Sequence, residues 1–434
     1  MDAALSRNLN THPPRMSIFI KSCNANYNWG DAAMLAAAIE RLIEEFSDPE
    51  IVLLEPSSCF EGKSDQAHVT SISKPQYASW ARERRIWNSL NSTTPEFVDY
   101  LSNGWPRLTD AIIRTKMKIL GRDPYGRDSF LERFRSADAL AVSGGGFVTD
   151  VFPEPCENAL NLIMLAGQHD IPVFMFGQGI GPLDSPALQK KARRALPHVE
   201  YIATREQRSS VPLLHSLGVE QERIIVTGDD AVGTVLSQRS ENTGDGIGVN
   251  LRVASYSKLS PALYDVLASV LSRASETYDA PLIPVPINYG RSDSDVDSIR
   301  QILSRAGVHS DGGANLQSVE DVIQQVARCR VVVTGSYHGG VFALSQGIPV
   351  VALSRSNYYD AKFHGLADMF AAGCAVLRTD RPDFESALEE TLNESWAQAP
   401  SLRPILLKSA AAQQQSSREA YGKMAQHIRR LQDV

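Results

Sequence analysis

CRVVVTGSYHGGVFALSQGIPVVALS, residues 329–354, reads as a strand, a tight turn, a helix and a second strand. Arg330 to Thr334 is β-branched and apolar without alternation, Gly335 ends it, and VFALSQ follows as a short apolar helix before the run IPVVALS. Unbroken apolar runs are strands covered on both faces, and two of them joined through a helix lie parallel. The turn carries a histidine, His338, beside the helix start.

The same unit recurs on both sides. Upstream stand SIFIKS (17–22) with the helical AAMLAAAIERLIEEF (32–46), IVLLE (51–55), ALAVSGGGFVTD (139–150), the helical NALNLIMLAGQH (158–169), IPVFMFGQGIGPL (171–183), VEYIATRE (199–206) and RIIVTGDDAV (223–232). A second series begins at IGVNLR (247–252) and continues through APLIPVPINYG (280–290) to CAVLRTD (374–380). Strands alternating with helices predict an α/β fold of two Rossmann-like parallel-sheet domains. The expected order is a flexible tail over 1–15, a first domain over 16–237 and a polar linker, QRSENTGDG (238–246). A second domain over 246–398 and a C-terminal helix over 399–434 complete it. That helix, read from Pro404, carries Tyr421, Met424, Ile428 and Leu431 as one apolar stripe packing on the body. Residues 76–135 break the rhythm with three tryptophans (Trp80, Trp87, Trp105) and many arginines, and read as a helical insertion. It is either an amphipathic surface excursion or a patch facing the acceptor or a membrane surface.

Whole-chain composition narrows the class. At 434 residues with 43% hydrophobic and 21% charged, the chain is ordinary globular material with room for two domains. A formal charge of −7 argues against a nucleic-acid partner, which asks for a basic footprint. The five cysteines form no CxxC pair and no metal-ligand spacing, which fits a reducing compartment. No apolar run is long enough to span a bilayer and the first residues lack a signal peptide's apolar stretch, so a cytoplasmic protein is expected.

In parallel sheets ligands bind beyond the carboxyl ends of the strands. Gly144, Gly145 and Gly146 follow a strand there, and glycines let backbone N–H groups approach an anion or simply make a tight turn. Asn28 and Asp31 bracket a helix start, where capping explains them as well as binding does. Arg205 follows a strand end and suits a salt bridge or an anion clamp equally. His338 is either an acid/base group at a helix start or a ring bonding its own turn.

The ordered set resembles the polysaccharide pyruvyl transferase family. It comprises NxGD at Asn28–Asp31, GGGFxxD ending at Asp150, GQGIGPL with Gln178, TRExxS with Arg205 and TGDDAV. NLR ending at Arg252, the SYHGGVFALSQ block and YDAKF with Lys362 follow, so the likeness runs from about residue 17 to 395. It implies two halves in a glycosyltransferase-B type arrangement with catalysis in the cleft between them. It also implies transfer of the pyruvyl group of phosphoenolpyruvate to sugar hydroxyls of a polysaccharide or a lipid-linked precursor, often as a cyclic ketal, with no metal or other cofactor required. On that reading His338 is the acid/base, Arg205, Arg252 and Lys362 are anion ligands, and Gly30, Asn28, Asp31, Asp150, Gln178 and the glycines at 144–146 face the acceptor or close the site. An enzyme handling a lipid-linked acceptor would associate with the membrane peripherally; oligomeric state is left open. The chain departs from the family at one place. The usual Arg-x-His is here Ser336-Tyr337-His338, and a hydroxyl does not replace a guanidinium fork. Either Arg355 or Lys362 supplies the missing cation or this branch uses a different donor, with Tyr337 on a donor oxygen, on a sugar or in packing. Two other readings fit the same architecture: a glycosyltransferase using a nucleotide sugar, and a non-catalytic sugar-binding or assembly protein.

Overall fold

The computed structural model describes residues 15–22, 25–55, 68–72, 76–77, 80–81, 106–119, 124–290 and 293–432. The expected tail up to residue 14, half of the insertion including Trp87 and Trp105, and Cys23 and Cys59 lie outside the described residues.

Thirteen described strands build two sheets. The first holds β1 (Ser17–Lys21), β2 (Glu50–Leu53), β3 (His68–Ser71), β4 (Ala139–Val142), β5 (Gly145–Val148), β6 (Val173–Ile180), β7 (Val199–Thr204) and β8 (Ile224–Val226). Their order is β3-β2-β1-β4-β6-β7-β8, with every pairing parallel. The eight-residue β6 takes β4 along its first half and β5 along its second. The second sheet holds β9 (Gly246–Asn250), β10 (Leu282–Pro284), β11 (Cys329–Thr334), β12 (Val350–Ser354) and β13 (Cys374–Arg378) in the order β10-β9-β11-β12-β13, again parallel. Strands β4, β6, β9 and β12 are buried along their whole length, their apolar residues covered on both faces and their polar Gln178, Asn250 and Ser354 hydrogen-bonded. The order reverses between β1 and β4 in one sheet and between β9 and β11 in the other. Such switch points open a crevice at the strands' carboxyl ends.

Three readings of the sequence change. The glycines after β4 are no free turn: Gly145 and Gly146 belong to β5, and Gly144 is wedged so that a Cβ there would lie 2.5 Å from Met34 Sδ. Strand β3 was not anticipated; HVTS is short and mostly exposed, so it lacks the apolar run that marks its neighbours. The C-terminal helix begins at Phe384 rather than near 399 and runs to Gln432, straight through Pro400 and Pro404. A proline cannot donate to the carbonyl four residues back. For Pro400 that carbonyl is Trp396 O, which accepts instead from Arg330 Nε at 3.1 Å.

This helix of 49 residues, about 70 Å long at the standard rise, joins the two halves. Its first part buries Leu388 and Leu392 in the second domain's core. Its later part lies on the first domain, where Tyr421 stacks on Phe176 with ring centres 3.8 Å apart. Leu431, expected in the apolar stripe, is instead exposed. No described helix is long and apolar enough to cross a membrane.

Candidate functional site

A cavity of about 480 Å³ lies where the carboxyl ends of the two sheets face each other, reached by side chains from both switch points. From the first sheet come Lys21 at the end of β1, Asn28 and Asp31 beyond it, Gly146 and Phe147 of β5, and Arg205 after β7. From the second come Arg252 beyond β9, Ser336, Tyr337 and His338 beyond β11, and Tyr358, Tyr359 and Lys362 on the helix Asn357–Phe370 after β12.

Arg205 is 2% exposed, and its Nη1 reaches Asp229 Oδ2 at 3.4 Å. Its Nη2 is buried and meets no hydrogen-bond acceptor among the described residues. The guanidinium lies over the Tyr337 ring at 4.1 Å from the centroid and is packed against two backbone positions without side chains. A Cβ on Gly179 would sit 2.6 Å from Arg205 Nε, and one on Gly146 would sit 2.7 Å from Arg205 Nη2 and 2.8 Å from Lys362 Nζ. The bare backbone at Gly146 thus lets two cationic nitrogens converge. Lys362 is held by Tyr358 OH, which donates in turn to Gly146 O at 3.2 Å.

His338 occupies the first turn of the helix Tyr337–Ser345, whose N-cap is Ser336. Its Nε2 stands 3.7 Å from Asp229 Oδ2, too far for a hydrogen bond, and has no other partner among the described residues. Burial raises the Asp229 carboxyl, but His338, Arg205 and the Ala231 N–H outweigh it and hold the group below the ordinary carboxylate range. Across the ring lies Gly30, in the first turn of the helix Trp29–Glu45, so close that no side chain fits between them. Asn28 caps that helix, accepting from Gly30 N at 3.0 Å and Asp31 N at 3.3 Å. Burial pushes the Asp31 carboxyl above its usual value, against the opposing pull of His338, Lys362, Arg205 and Arg252. Asp31 therefore holds a proton more readily than an exposed aspartate would.

Several expected residues do other work. Gln178 is fully buried outside the cavity, its Nε2 donating to Ser143 O at 2.7 Å and Phe176 O at 2.9 Å, so it seals the strand ends. Asp150 also lies outside, accepting from Asp184 N and Ser185 N and pinning the chain after β6. Gly144 and Gly145 do not line the cavity, and Gly30 acts only by leaving room for His338. Arg252 is inside but committed. Asp293 and Asp295 each hold it at 3.2 Å and Tyr256 OH lies 2.8 Å from Nη2, so it is no unspent anion clamp. Arg355 is exposed and outside the lining, while Lys362 is within it. Ser336 presents no cation, and its N–H is taken by Thr334 Oγ1 at 2.9 Å.

Sequence reasoning missed Asp229, Lys21 and the tyrosines at 256, 358 and 359. Asp229 had a usable signal, since TGDD follows β8 at the same kind of strand end that drew attention to Arg205. The tyrosines had none, because they come from loops and a helix face that only the fold brings together.

Known proteins share this architecture. UDP-GlcNAc 2-epimerase from Neisseria meningitidis is 13% identical with a TM-score of 0.53, over 95% of this chain and 98% of that one. A UDP-glucosyltransferase from Polygonum tinctorium is 13% identical with a TM-score of 0.53, over 96% and 99%. These likenesses show the fold, two parallel-sheet domains of the glycosyltransferase-B type. No curated protein matches the chain in sequence. The family model described as polysaccharide pyruvyl transferase matches residues 28–357, a span that carries Asn28, Asp31, Gly146, Arg205, Asp229, Arg252 and His338. The chain belongs to the polysaccharide pyruvyl transferase family.

Proposed function

We propose that the cavity moves the pyruvyl group of phosphoenolpyruvate onto hydroxyls of a sugar, on a polysaccharide or its lipid-linked precursor. The observation that carries this reading is the convergence of Arg205 Nη2 and Lys362 Nζ over the bare backbone of Gly146, beside His338. An unsatisfied buried N–H forgoes about 1–3 kcal/mol, which an oxygen of a phosphate or carboxylate restores on binding. Phosphoenolpyruvate carries both groups on three carbons and suits a compact pair of cations.

The chemistry needs one proton delivered to carbon and, for a ketal, two removed from the sugar hydroxyls. Asp31, protonated more readily than an ordinary aspartate, gives a proton to the methylene carbon, which becomes a methyl group and leaves an oxocarbenium-like centre at C2. A sugar hydroxyl attacks C2, and its proton passes to His338, whose imidazolium is stabilised by Asp229. The C2–O bond to phosphate then breaks, Arg205 and Lys362 taking the released charge and the phosphate carrying away the proton held by His338, and a second hydroxyl closes the ketal at C2, its proton returning to Asp31. Each group acts through a contact already described, and no other co-reactant enters the balance.

Thermal stabilisation by phosphoenolpyruvate, set against a panel of nucleotide sugars, tests the donor. A shift with phosphoenolpyruvate is expected. A shift with nucleotide sugars alone would replace this reading by a glycosyltransferase. With an acceptor in hand, turnover in deuterated water places deuterium in the product's methyl group if the methylene is protonated.

A further inference from the structure

The two most exposed large apolar side chains among the described residues are neighbours in the chain and lie outside the cavity lining. Ile119, 78% exposed, ends the helix Pro106–Ile119, and Tyr125, 72% exposed, begins the helix Pro124–Phe134. On the first helix Met117 is fully buried and faces the protein. At 100° per residue Ala111, Thr115 and Ile119 fall on one line, with Ile119 on the side opposite Met117. All three are exposed, and together with Lys116 they line an open, mainly apolar depression. Lys116 stands on one side of this line, and Lys118 and Arg114 on the other, Arg114 reaching Asp128 at 3.0 Å.

Positive charge and exposed apolar side chains coincide here; the helix Pro186–Ala195 is basic too, yet carries no exposed large apolar side chain. Residues 106–135 hold eight Lys and Arg against four Asp and Glu, whereas the whole chain carries −7. A basic corner on an acidic protein, where lysines flank an exposed aliphatic and an exposed aromatic side chain, is matched to a surface that is negative and apolar at once. Lysine stems lie along apolar material while their ammonium groups stay at the headgroups, and tyrosine suits the same boundary.

We propose that the corner formed by Ile119, Tyr125, Lys116 and Lys118 docks the protein on an anionic lipid bilayer. The corner is linked to the cavity by one aromatic layer. Phe130 of the second helix packs on Tyr77 at 5.7 Å and on Trp80 at 5.3 Å, and Lys21, which lines the cavity, lies 5.8 Å over the Tyr77 ring. Docking therefore brings the cavity's first-domain end toward the headgroups, where a sugar carried on a lipid would be presented. That last step rests on the functional reading above; the docking itself does not.

Co-sedimentation with vesicles tests it without any activity measurement. The protein is expected to pellet with phosphatidylcholine vesicles containing phosphatidylglycerol, to stay in the supernatant with phosphatidylcholine alone, and to be released by salt. Each lysine near such a surface contributes about fivefold in partitioning, so Lys116→Gln with Lys118→Gln lowers it by about 25-fold. Ile119→Ser with Tyr125→Ser lowers it as well. Lys190→Gln with Arg193→Gln, on a different basic helix, leaves it unchanged. Failure of the wild-type protein to bind, equal binding to neutral vesicles, or equal loss in the Lys190/Arg193 variant overturns the proposal. So does a lipid-free dimer that Ile119→Ser dissociates, which would assign this face to a second copy of the chain.

Discussion

Replacing Gly30 by alanine probes the contact that joins the two domains at the reacting group. A Cβ at position 30 would lie 2.1 Å from His338 Cγ, 2.2 Å from Nδ1 and 2.6 Å from Cβ, all well inside any tolerated separation. In the first turn of a helix alanine is worth up to about 1 kcal/mol over glycine. Forcing an extra carbon into packed surroundings costs about 1–3 kcal/mol, and here the obstacle is a ring with its own backbone attachment rather than a flexible chain end. Gly30→Ala alone should therefore destabilise by about 1–2 kcal/mol. The partner change must be His338→Gly, because alanine at 338 keeps the Cβ at 2.6 Å. With glycine at 338 the obstacle is gone and Gly30→Ala should stabilise by up to about 1 kcal/mol. Urea unfolding of the four proteins, followed by tryptophan fluorescence, then gives a coupling of about 2–3 kcal/mol between the sites. An equal effect of Gly30→Ala in both backgrounds refutes the contact and with it the closed geometry of the cavity.

Other predictions address the site and its support. His338→Ala should lower turnover by about 10²–10⁴-fold while the unfolding transition stays in place; unchanged turnover removes the acid/base role. Arg205→Lys keeps the charge against Asp229 but loses the fork, so affinity for phosphoenolpyruvate measured by calorimetry should fall about tenfold or more, and an unaltered affinity counts against the anion site. Asp230 accepts from Ser417 Oγ at 2.8 Å and Tyr421 OH at 3.1 Å, and burial raises its carboxyl to about 7 against those bonds, with Asp229 adding to the rise. A folded-state value above the unfolded one means a contribution fully present below about pH 4 and lost as pH climbs through 7. The stability of the wild-type protein minus that of Asp230→Asn should accordingly drop by up to about 4 kcal/mol across that window, at 1.36 kcal/mol per pH unit. Parallel pH curves would show that Asp230 does not carry the proton.

The parallel sheets were legible because their strands are continuous apolar runs closed by glycine or polar turns, a pattern carried by consecutive residues. Strand β3 escaped because HVTS has no such run, and the length of the final helix escaped because proline is normally a stop signal. Only the side chain of Arg330, far off in the sequence, reveals that Trp396 O is still satisfied. The site divides in the same way. Arg205 and His338 announce themselves as charged or titratable groups at strand ends. The pairing of His338 with Asp229, 109 positions earlier, is a product of tertiary packing. Gln178 and Asp150 stood in glycine-rich motifs at the right address, yet their hydrogen bonds turn inward to the backbone. Local pattern shows where a strand ends; it does not show which way a polar side chain then points.

The helix Phe384–Gln432 is fastened to the second domain through Leu388 and Leu392 and to the first through Tyr421. Two lobes sharing such a rod cannot swivel freely: widening the mouth between them means flexing the rod or breaking one of its attachments. Pro400 and Pro404 lie inside the stretch held by the second domain, where Arg403 donates to Gln346 O at 2.8 Å and Ser409 to Phe370 O at 3.1 Å; the changeover falls at Gln413, which donates to Met369 O, and Gln414, which donates to Gly233 O. Any widening of the mouth therefore strains the helix at Gln413 and Gln414, where one side chain holds each lobe, rather than at its prolines.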